Sequence, residues 1–119
     1  MYIFVGNNPF ISLGCWNDKP DRAILEIANF RSVDNPIQKC FELAKSRGYR
    51  VFALQDGGTC HSSATAGDTY EKHGSSTSCP NNGNGGGWLN EVYEIVTGNF
   101  IFVERSKYTA ILLLLLLLF

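Results

Sequence analysis

Residues 36–60 of this 119-residue chain read PIQKCFELAKSRGYRVFALQDGGTC, and they predict a helix, a strand and a turn in succession. Pro36 suits the first position of a helix, and Asp34 or Asn35 can cap it. Gly48 supplies the left-handed residue that ends a helix. The apolar residues that fall at helical spacing are Ile37, Cys40, Phe41 and Ala44. This face, with Cys40 on it, is therefore expected to pack against another element.

The strand predicted after this helix, at residues 49–54, is apolar along most of its length. Such a run is typical of a central strand that is buried on both faces. Further strands are predicted at residues 13–16 and 88–95, and residues 22–25 are either a short strand or an extended segment. One helix packed on a small antiparallel sheet makes an α+β sandwich of two layers, and this is the expected fold class.

Four cysteines are spread along the chain, at Cys15, Cys40, Cys60 and Cys79. An even number of cysteines in a short, loop-rich sequence indicates a disulfide framework and an oxidising, extracellular location. Four cysteines allow three pairings. Zinc binding is not favoured, because no two of them have the spacing of a Cys-x-x-Cys knuckle, and we expect neither a metal nor a cofactor.

The composition limits the class of protein. Apolar residues make up 45% and charged residues 18% of the chain, which is typical of a folded domain and not of a disordered segment. The net charge is -1, and no basic stripe is present that could neutralise phosphates. Nucleic acid is therefore not an expected partner.

The two ends of the chain differ from the part between them. Met1 begins a short apolar stretch with no basic residue before it, so a secretory signal is only weakly indicated. The last nine residues run from Ile111 to Phe119 and are nearly all leucine, but a bilayer span needs about twenty apolar residues. We therefore interpret residues 1–12 as an N-terminal extension, truncated or non-native. Residues 98–119 are interpreted as a tail with a partial hydrophobic membrane anchor, or as read-through sequence.

Aromatic and amide side chains near the predicted turns indicate where a sugar could bind. An aromatic ring stacks on the apolar face of a pyranose, while amides and carboxylates bond to its hydroxyl groups. The candidate carbohydrate-binding residues are Trp88, Tyr70, Asp56, Gln55, Asn90 and Trp16, with Asn17, Asp18 and Glu91 as further polar partners. Trp16 is expected to be mainly structural, and residues 81–87 are expected to form a long mobile surface loop before Trp88.

Catalysis is the less favoured interpretation. His61 and His73 could act as general acid or base beside Glu71 or Glu91, as in a small secreted hydrolase. No catalytic signature surrounds these residues or any of the cysteines, so no catalytic residue is assigned and the chain is not expected to be an enzyme.

Several short motifs follow one another in the middle of the chain: Gly14-Cys15-Trp16, Arg22-Ala23-Ile24, Gly48-Tyr49, Gly57-Gly58-Thr59-Cys60 and Gly86-Gly87-Trp88. In this order they resemble the motifs of the WSC domain, a cysteine-rich extracellular module regarded as a carbohydrate binder. The resemblance implies a WSC-like module at residues 13–97. It also selects one pairing of the cysteines, with Cys40–Cys60 joining the helix to the sheet and Cys15–Cys79 joining the first strand to the late loop.

The resemblance further implies a function and a location. The chain would be a divergent member with four cysteines, because Ala44 and Ser62 stand where the family carries another bonded pair. The implied function is non-catalytic binding of a glycan by a secreted or cell-surface protein. An extracellular protein is the alternative partner, in which case the chain is an interaction module of a cell-surface or matrix protein.

Overall fold

The structure is a computed structural model, and it describes residues 3–5, 9–96 and 101–103. Its elements along the chain are β1 (Ile3–Val5), β2 (Phe10–Asn17), β3 (Glu26–Asn29), α1 (Pro36–Ser46), β4 (Val51–Gln55), β5 (Thr59–Ser62), α2 (Ala66–Thr69), β6 (Leu89–Ile95) and β7 (Ile101–Val103). The chain divides into two compact units, of which the larger is Phe10–Val96.

The smaller unit contains an antiparallel ribbon made of β1 and β7. The leucine tract, which begins at Ile111 and was predicted as a partial anchor, lies outside the described residues. Among the residues that the structure does describe, no helix has the length and apolar character needed to cross a bilayer.

The larger unit is built on a five-stranded antiparallel sheet with the order β2-β6-β4-β5-β3. Strand β4 is central and buried at every residue, as its apolar run predicts. It pairs with β6 on one side and with β5 on the other, so that Ala53 lies opposite both Val92 and His61. The expected α+β fold is confirmed, with a strand at Glu26–Asn29 and none at residues 22–25.

Helix α1 covers one face of this sheet. Cys40, Phe41 and Ala44 are its buried residues, and they pack on Phe52 and Leu54 of β4. The helix begins at Pro36 as predicted. Its N-cap is Asn35, which makes no side-chain capping bond because its backbone is left-handed (φ 55°). The extended conformation that normally aims a capping side chain at the first turn is therefore missing.

The opposite face of the sheet, here called the second face, is also covered. Residues 23–24 and the short helix α2 pack there on Val51, Ala53 and Val92. The sheet is therefore buried on both sides, and its ends are the places where polar side chains from several strands can meet near the surface.

Two disulfides join the elements of the larger unit. Cys40–Cys60 ties α1 to β5, and Cys15–Cys79 ties β2 to the loop that precedes β6. This is the pairing that the resemblance implied, and it leaves no free cysteine. The four sulfur atoms are consequently not available as zinc ligands.

Candidate functional site

Polar side chains form a row across one end of the second face. Gln55 is the last residue of β4 and lies opposite Thr59 of β5. On its other side, the Gln55 Nε2 amide donates to Asn90 Oδ1 of β6 at 2.8 Å. Asn90 in turn lies opposite Trp16 of β2. The antiparallel register therefore brings together two predicted site residues, Gln55 and Asn90, that are 35 positions apart in the sequence.

Asp18 caps this row, and its side chain is completely inaccessible to solvent. One carboxylate oxygen accepts from the Ala23 backbone N–H at 2.9 Å, and the other accepts from Gln55 Nε2 and Arg22 Nη1, both at 2.8 Å. Burial by itself raises the pKa of Asp18, but these hydrogen bonds outweigh it and hold the pKa below the usual value of 3.8. Asp18 is therefore a buried carboxylate anion held by donors from three residues.

Arg22 links this buried anion to an exposed aromatic ring. Its Nη1 donates to Asp18 and also to Gln55 Oε1 at 3.0 Å. Its guanidinium carbon lies 4.6 Å from the centre of the Trp88 ring, which is a cation–π contact. The Trp88 carbonyl also accepts from the Asp18 backbone N–H at 2.9 Å. Trp88 is thus fixed through both its backbone and its ring, although the residue is 49% exposed.

The backbone of Trp88 is left-handed, with φ at 57°. A bulky residue in this region costs about 1–2 kcal/mol, and such strain is often found at functional sites. It also explains a small error of the sequence-based prediction. Strand β6 begins at Leu89 and not at residue 88, because a left-handed residue cannot continue a strand ladder.

The glycine-rich segment before Trp88 packs closely on the sheet. Gly85 lies against the Leu54 carbonyl so tightly that a Cβ atom would clash, and its φ is 72°. The Gly86 carbonyl accepts from the Asp56 N–H at 2.9 Å, and Gly86 and Leu89 exchange two backbone bonds at 3.1 Å. The segment predicted as a long mobile surface loop thus contacts the sheet at each of these points.

The other predicted site residues fall into different environments. Asp56 is exposed next to this glycine segment, and its carboxylate pairs with Arg31 at 2.9 Å. Trp16 and Tyr70 pack on each other edge to face, with ring centres 5.2 Å apart, as part of the second-face core. Trp16 Nε1 also donates to the Leu13 carbonyl at 2.9 Å. These contacts agree with a structural role for Trp16 and give Tyr70 the same one.

Each candidate catalytic histidine bonds to a backbone carbonyl, His61 in the interior and His73 at the surface. His61 is 1% exposed, and its Nδ1 donates to the Ile24 carbonyl at 3.1 Å while Nε2 contacts Thr59 Oγ1 at 3.0 Å. Burial lowers the pKa of His61 below 6.5. The side chain of His73 is 7% exposed and bonds to the Asp21 carbonyl. Glu91, whose pKa is raised by burial, lies one residue from Asn90 and so faces the α1 side, away from His61.

Sequence reasoning missed Arg22 as a site residue. Opposite charges at Asp18 and Arg22, four positions apart, were the available signal. The bond from Arg22 to Gln55 spans 33 positions, and its stacking on Trp88 spans a longer stretch of chain, so neither leaves a local pattern. One further feature was not foreseen. Asn90 Nδ2 is buried and has no hydrogen-bond partner within the described part of the chain.

Fold and site together define a small disulfide-bonded α+β module with an exposed tryptophan on a buried polar network. A comparison with protein-family models matches residues 12–87 to the WSC domain, which is more than half of the chain. The protein therefore belongs to the WSC-domain family, to which carbohydrate binding is ascribed. The matched range ends one residue before Trp88. A search of the curated proteins finds no match to the chain.

Proposed function

We propose that this module binds carbohydrate without catalysis, on a secreted or cell-surface protein, and that a sugar ring stacks on Trp88. The observation that carries the proposal is the combination found at this one residue. Trp88 is half exposed, adopts a left-handed backbone, and has its ring fixed by Arg22. A glycine would meet the backbone requirement at lower cost, so the ring itself is what the position supplies.

The polar groups around Trp88 suit the hydroxyl groups of a stacked sugar. A guanidinium has five N–H donors, and within the described residues both hydrogen bonds of Arg22 use Nη1. The donors on Nε and Nη2 remain for a ligand, since 34% of the Arg22 side chain is exposed. Because Asp18 and Gln55 hold Nη1, little side-chain entropy is lost when a sugar binds beside the ring.

Two further observations support an extracellular and non-catalytic role. Both pairs of cysteines are bonded, and disulfides persist in oxidising environments. The two histidines that could serve a hydrolase are His61 and His73, and each ring bonds to a backbone carbonyl, for His61 in the interior and for His73 at the surface. This arrangement favours binding over hydrolysis, and it agrees with the ascribed function of the family.

Glycan-array binding of the disulfide-intact chain tests the proposal, with neutral and acidic glycans on one surface. We expect binding by the native chain, and its loss in Trp88→Ala. Leu25→Ala is the matched control, because Leu25 is an exposed apolar residue (63%) outside the Trp88 cluster, and it should bind normally. Equal binding by the native chain and Trp88→Ala, or no binding to any glycan, would overturn the proposal.

A further inference from the structure

A cleft of about 360 Å³ lies at the start of helix α1, apart from the Trp88 ring. Its apolar lining residues, here called its floor, are Phe10, Pro36 and Ile37. The remaining lining residues carry side-chain amides, and they are Asn35, Gln38, Asn82 and Asn84. The volume is within the range of small-molecule sites, which combine an apolar surface with a few placed polar groups.

The wall contributed by the glycine-rich segment is fixed in place. The Tyr93 hydroxyl donates to the Gly83 carbonyl at 2.8 Å, and burial raises the pKa of Tyr93 to about 12, so the donor stays protonated. The Asn84 backbone N–H donates to Asn82 Oδ1 at 2.9 Å. A Cβ atom on Gly83 would come within 3 Å of the Tyr93 hydroxyl and of Ile37 Cδ1. The positions of Asn82 and Asn84 are therefore set before any ligand arrives.

The floor of the cleft is also fixed in place by packing. The Phe10 ring packs on three aromatic rings of the core, with centre-to-centre distances of 5.3 Å to Phe41 and 5.5 Å to both Phe52 and Tyr93. Phe10 itself is only partly buried, so it offers a rigid aromatic surface to the cleft. A preformed floor avoids the ordering cost that a mobile side chain would pay on binding.

The chemistry of the lining selects a class of ligand. An amide side chain both donates and accepts hydrogen bonds, as a hydroxyl group does, and no lining side chain is ionisable. A charged group entering this cleft would find no counter-charge among the lining side chains. A neutral pyranose meets both conditions, because its C–H face fits the apolar floor and its hydroxyl rim fits the amides.

The cleft and Trp88 are joined by one short segment. Asn84 and Trp88 are four residues apart, so their Cα atoms are at most about 14 Å from each other. Gly85, packed on Leu54, holds the segment between them. We infer that the cleft is a second subsite, which takes a neutral pyranose unit of the same oligosaccharide whose other unit stacks on Trp88. This inference rests on the proposed function of Trp88. It adds two requirements on the ligand, which must be an oligosaccharide and must carry no charge at the unit bound in the cleft.

Two linked contacts on one ligand bind more tightly than either contact alone, because the second becomes intramolecular. The full disulfide-intact chain, labelled with ¹⁵N, is titrated with cellopentaose, maltopentaose and chitopentaose, and with glucose and N-acetylglucosamine. We expect at least one pentasaccharide to shift the Trp88 indole and the backbone amides of Gln38 and Asn84 together. Its affinity should exceed that of its monosaccharide by at least about tenfold.

The matching variant is Gln38→Ala/Asn84→Ala, with Asn81→Ala as control, because Asn81 is exposed on the same segment and does not line the cleft. The double variant should lose about tenfold in pentasaccharide affinity and the control should lose nothing. Should the double variant fail to fold, the amide shifts of the native chain decide alone. Shifts at Trp88 without any at Gln38 and Asn84 overturn the second subsite and keep the proposed function. If none of these resonances shifts with any of the sugars, both the second subsite and the proposed function are overturned.

Discussion

The backbone of Gly85 lies directly on the carbonyl group of Leu54, and no Cβ atom fits between them. This contact fixes the glycine-rich segment to the end of the central strand. It does so next to Gln55, which belongs to the buried polar row under Trp88. The position of the exposed tryptophan therefore depends on a residue that carries no side chain.

Replacement of Gly85 should damage stability and binding together. In Gly85→Ala a methyl group meets the Leu54 carbonyl and the residue must keep a positive φ, so we expect a loss of about 2 kcal/mol or more in the free energy of unfolding. Gly87→Ala is the matched control, since a Cβ there meets nothing within 4 Å. Urea unfolding of the two variants checks this, and equal midpoints would show that the Gly85 contact is unimportant.

Removal of the Asp18 carboxylate should lower the free energy of unfolding, whereas removal of the exposed Asp21 carboxylate should not. Asp18→Ala leaves the Ala23 N–H, Arg22 and Gln55 without their shared acceptor, so we expect the free energy of unfolding to fall by about 3 kcal/mol. Asp21→Ala removes an exposed carboxylate that pairs with Lys72, and its unfolding midpoint should scarcely change. Chemical denaturation provides the measurement. A larger loss of stability in Asp21→Ala than in Asp18→Ala would contradict a stabilising role for the polar network.

Trp88 should contribute to binding and little to stability. Trp88→Gly relieves a left-handed backbone strain of about 1–2 kcal/mol and loses a cation–π contact of about 0.5–1 kcal/mol. We therefore expect the free energy of unfolding to remain within about 1 kcal/mol of the native value, while glycan binding disappears. Thermal melts and array binding of the same preparation check both parts. A large loss of stability would mean that the ring serves the fold.

Both disulfides should be needed for the folded state. The cysteines of each pair are 20 and 64 residues apart, so the chain-entropy estimate is about 3 kcal/mol for Cys40–Cys60 and about 4 kcal/mol for Cys15–Cys79. The sum is comparable with the whole stability of a typical domain, about 5–15 kcal/mol. Thermal melts with and without dithiothreitol should therefore differ by tens of degrees or show an unfolded reduced chain. Superimposable melts would exclude a structural role for the bridges.

Acidification should destabilise the module through His61. Burial lowers its pKa in the folded state, so the unfolded chain binds a proton more readily. The His61 contribution is complete above the unfolded value of 6.5 and is lost progressively as the pH falls below it. Glu26 and Asp18 oppose the shift and Arg22 adds to it, but burial is the largest cause.

Thermal melts between about pH 7.5 and about pH 5 test this expectation. Asp18, with a pKa below 3.8, does not titrate in that window, and any protonation of Glu91, whose pKa is raised by burial, favours the folded state and opposes the fall at the acid end. The native melting temperature should fall over the window, and His61→Gln should flatten the dependence. Asn81→Ala, which changes an exposed side chain that is not ionisable, serves as the control and should leave the slope as it is. An unchanged slope in His61→Gln would assign the pH dependence to another group.

Helix α1 and strand β4 were predictable because their patterns are local. Pro36 starts the helix, Gly48 follows its end, and the apolar run at residues 51–54 indicates a central strand, which in the structure extends to Gln55. The pairing Cys40–Cys60 was not predictable from spacing, since four cysteines allow three pairings. It followed from the family resemblance alone.

The site was predictable in its residue types but not in its arrangement. Trp88, Gln55 and Asn90 were chosen as stacking and hydrogen-bonding residues, and the sheet register brings them into one cluster. The role of Arg22 was hidden, because Gln55 and Trp88 are distant from it in the sequence and it falls in a segment predicted as either a short strand or an extended stretch. Trp16 was expected to be mainly structural, and its packing on Tyr70 agrees with this, whereas the exposure of Trp88 is known only from the structure.

Helix α1 covers one face of the sheet, and residues 23–24 and α2 cover the other. Neither face of the sheet in the larger unit is therefore open to a ligand, which can bind only at the rim of the sheet. If a sugar binds there as proposed, a rim would contact few sugar units at a time, and a single copy would have a small footprint on a polysaccharide. Tight binding to a glycan surface would then require several copies side by side, because linked copies bind with a high effective concentration.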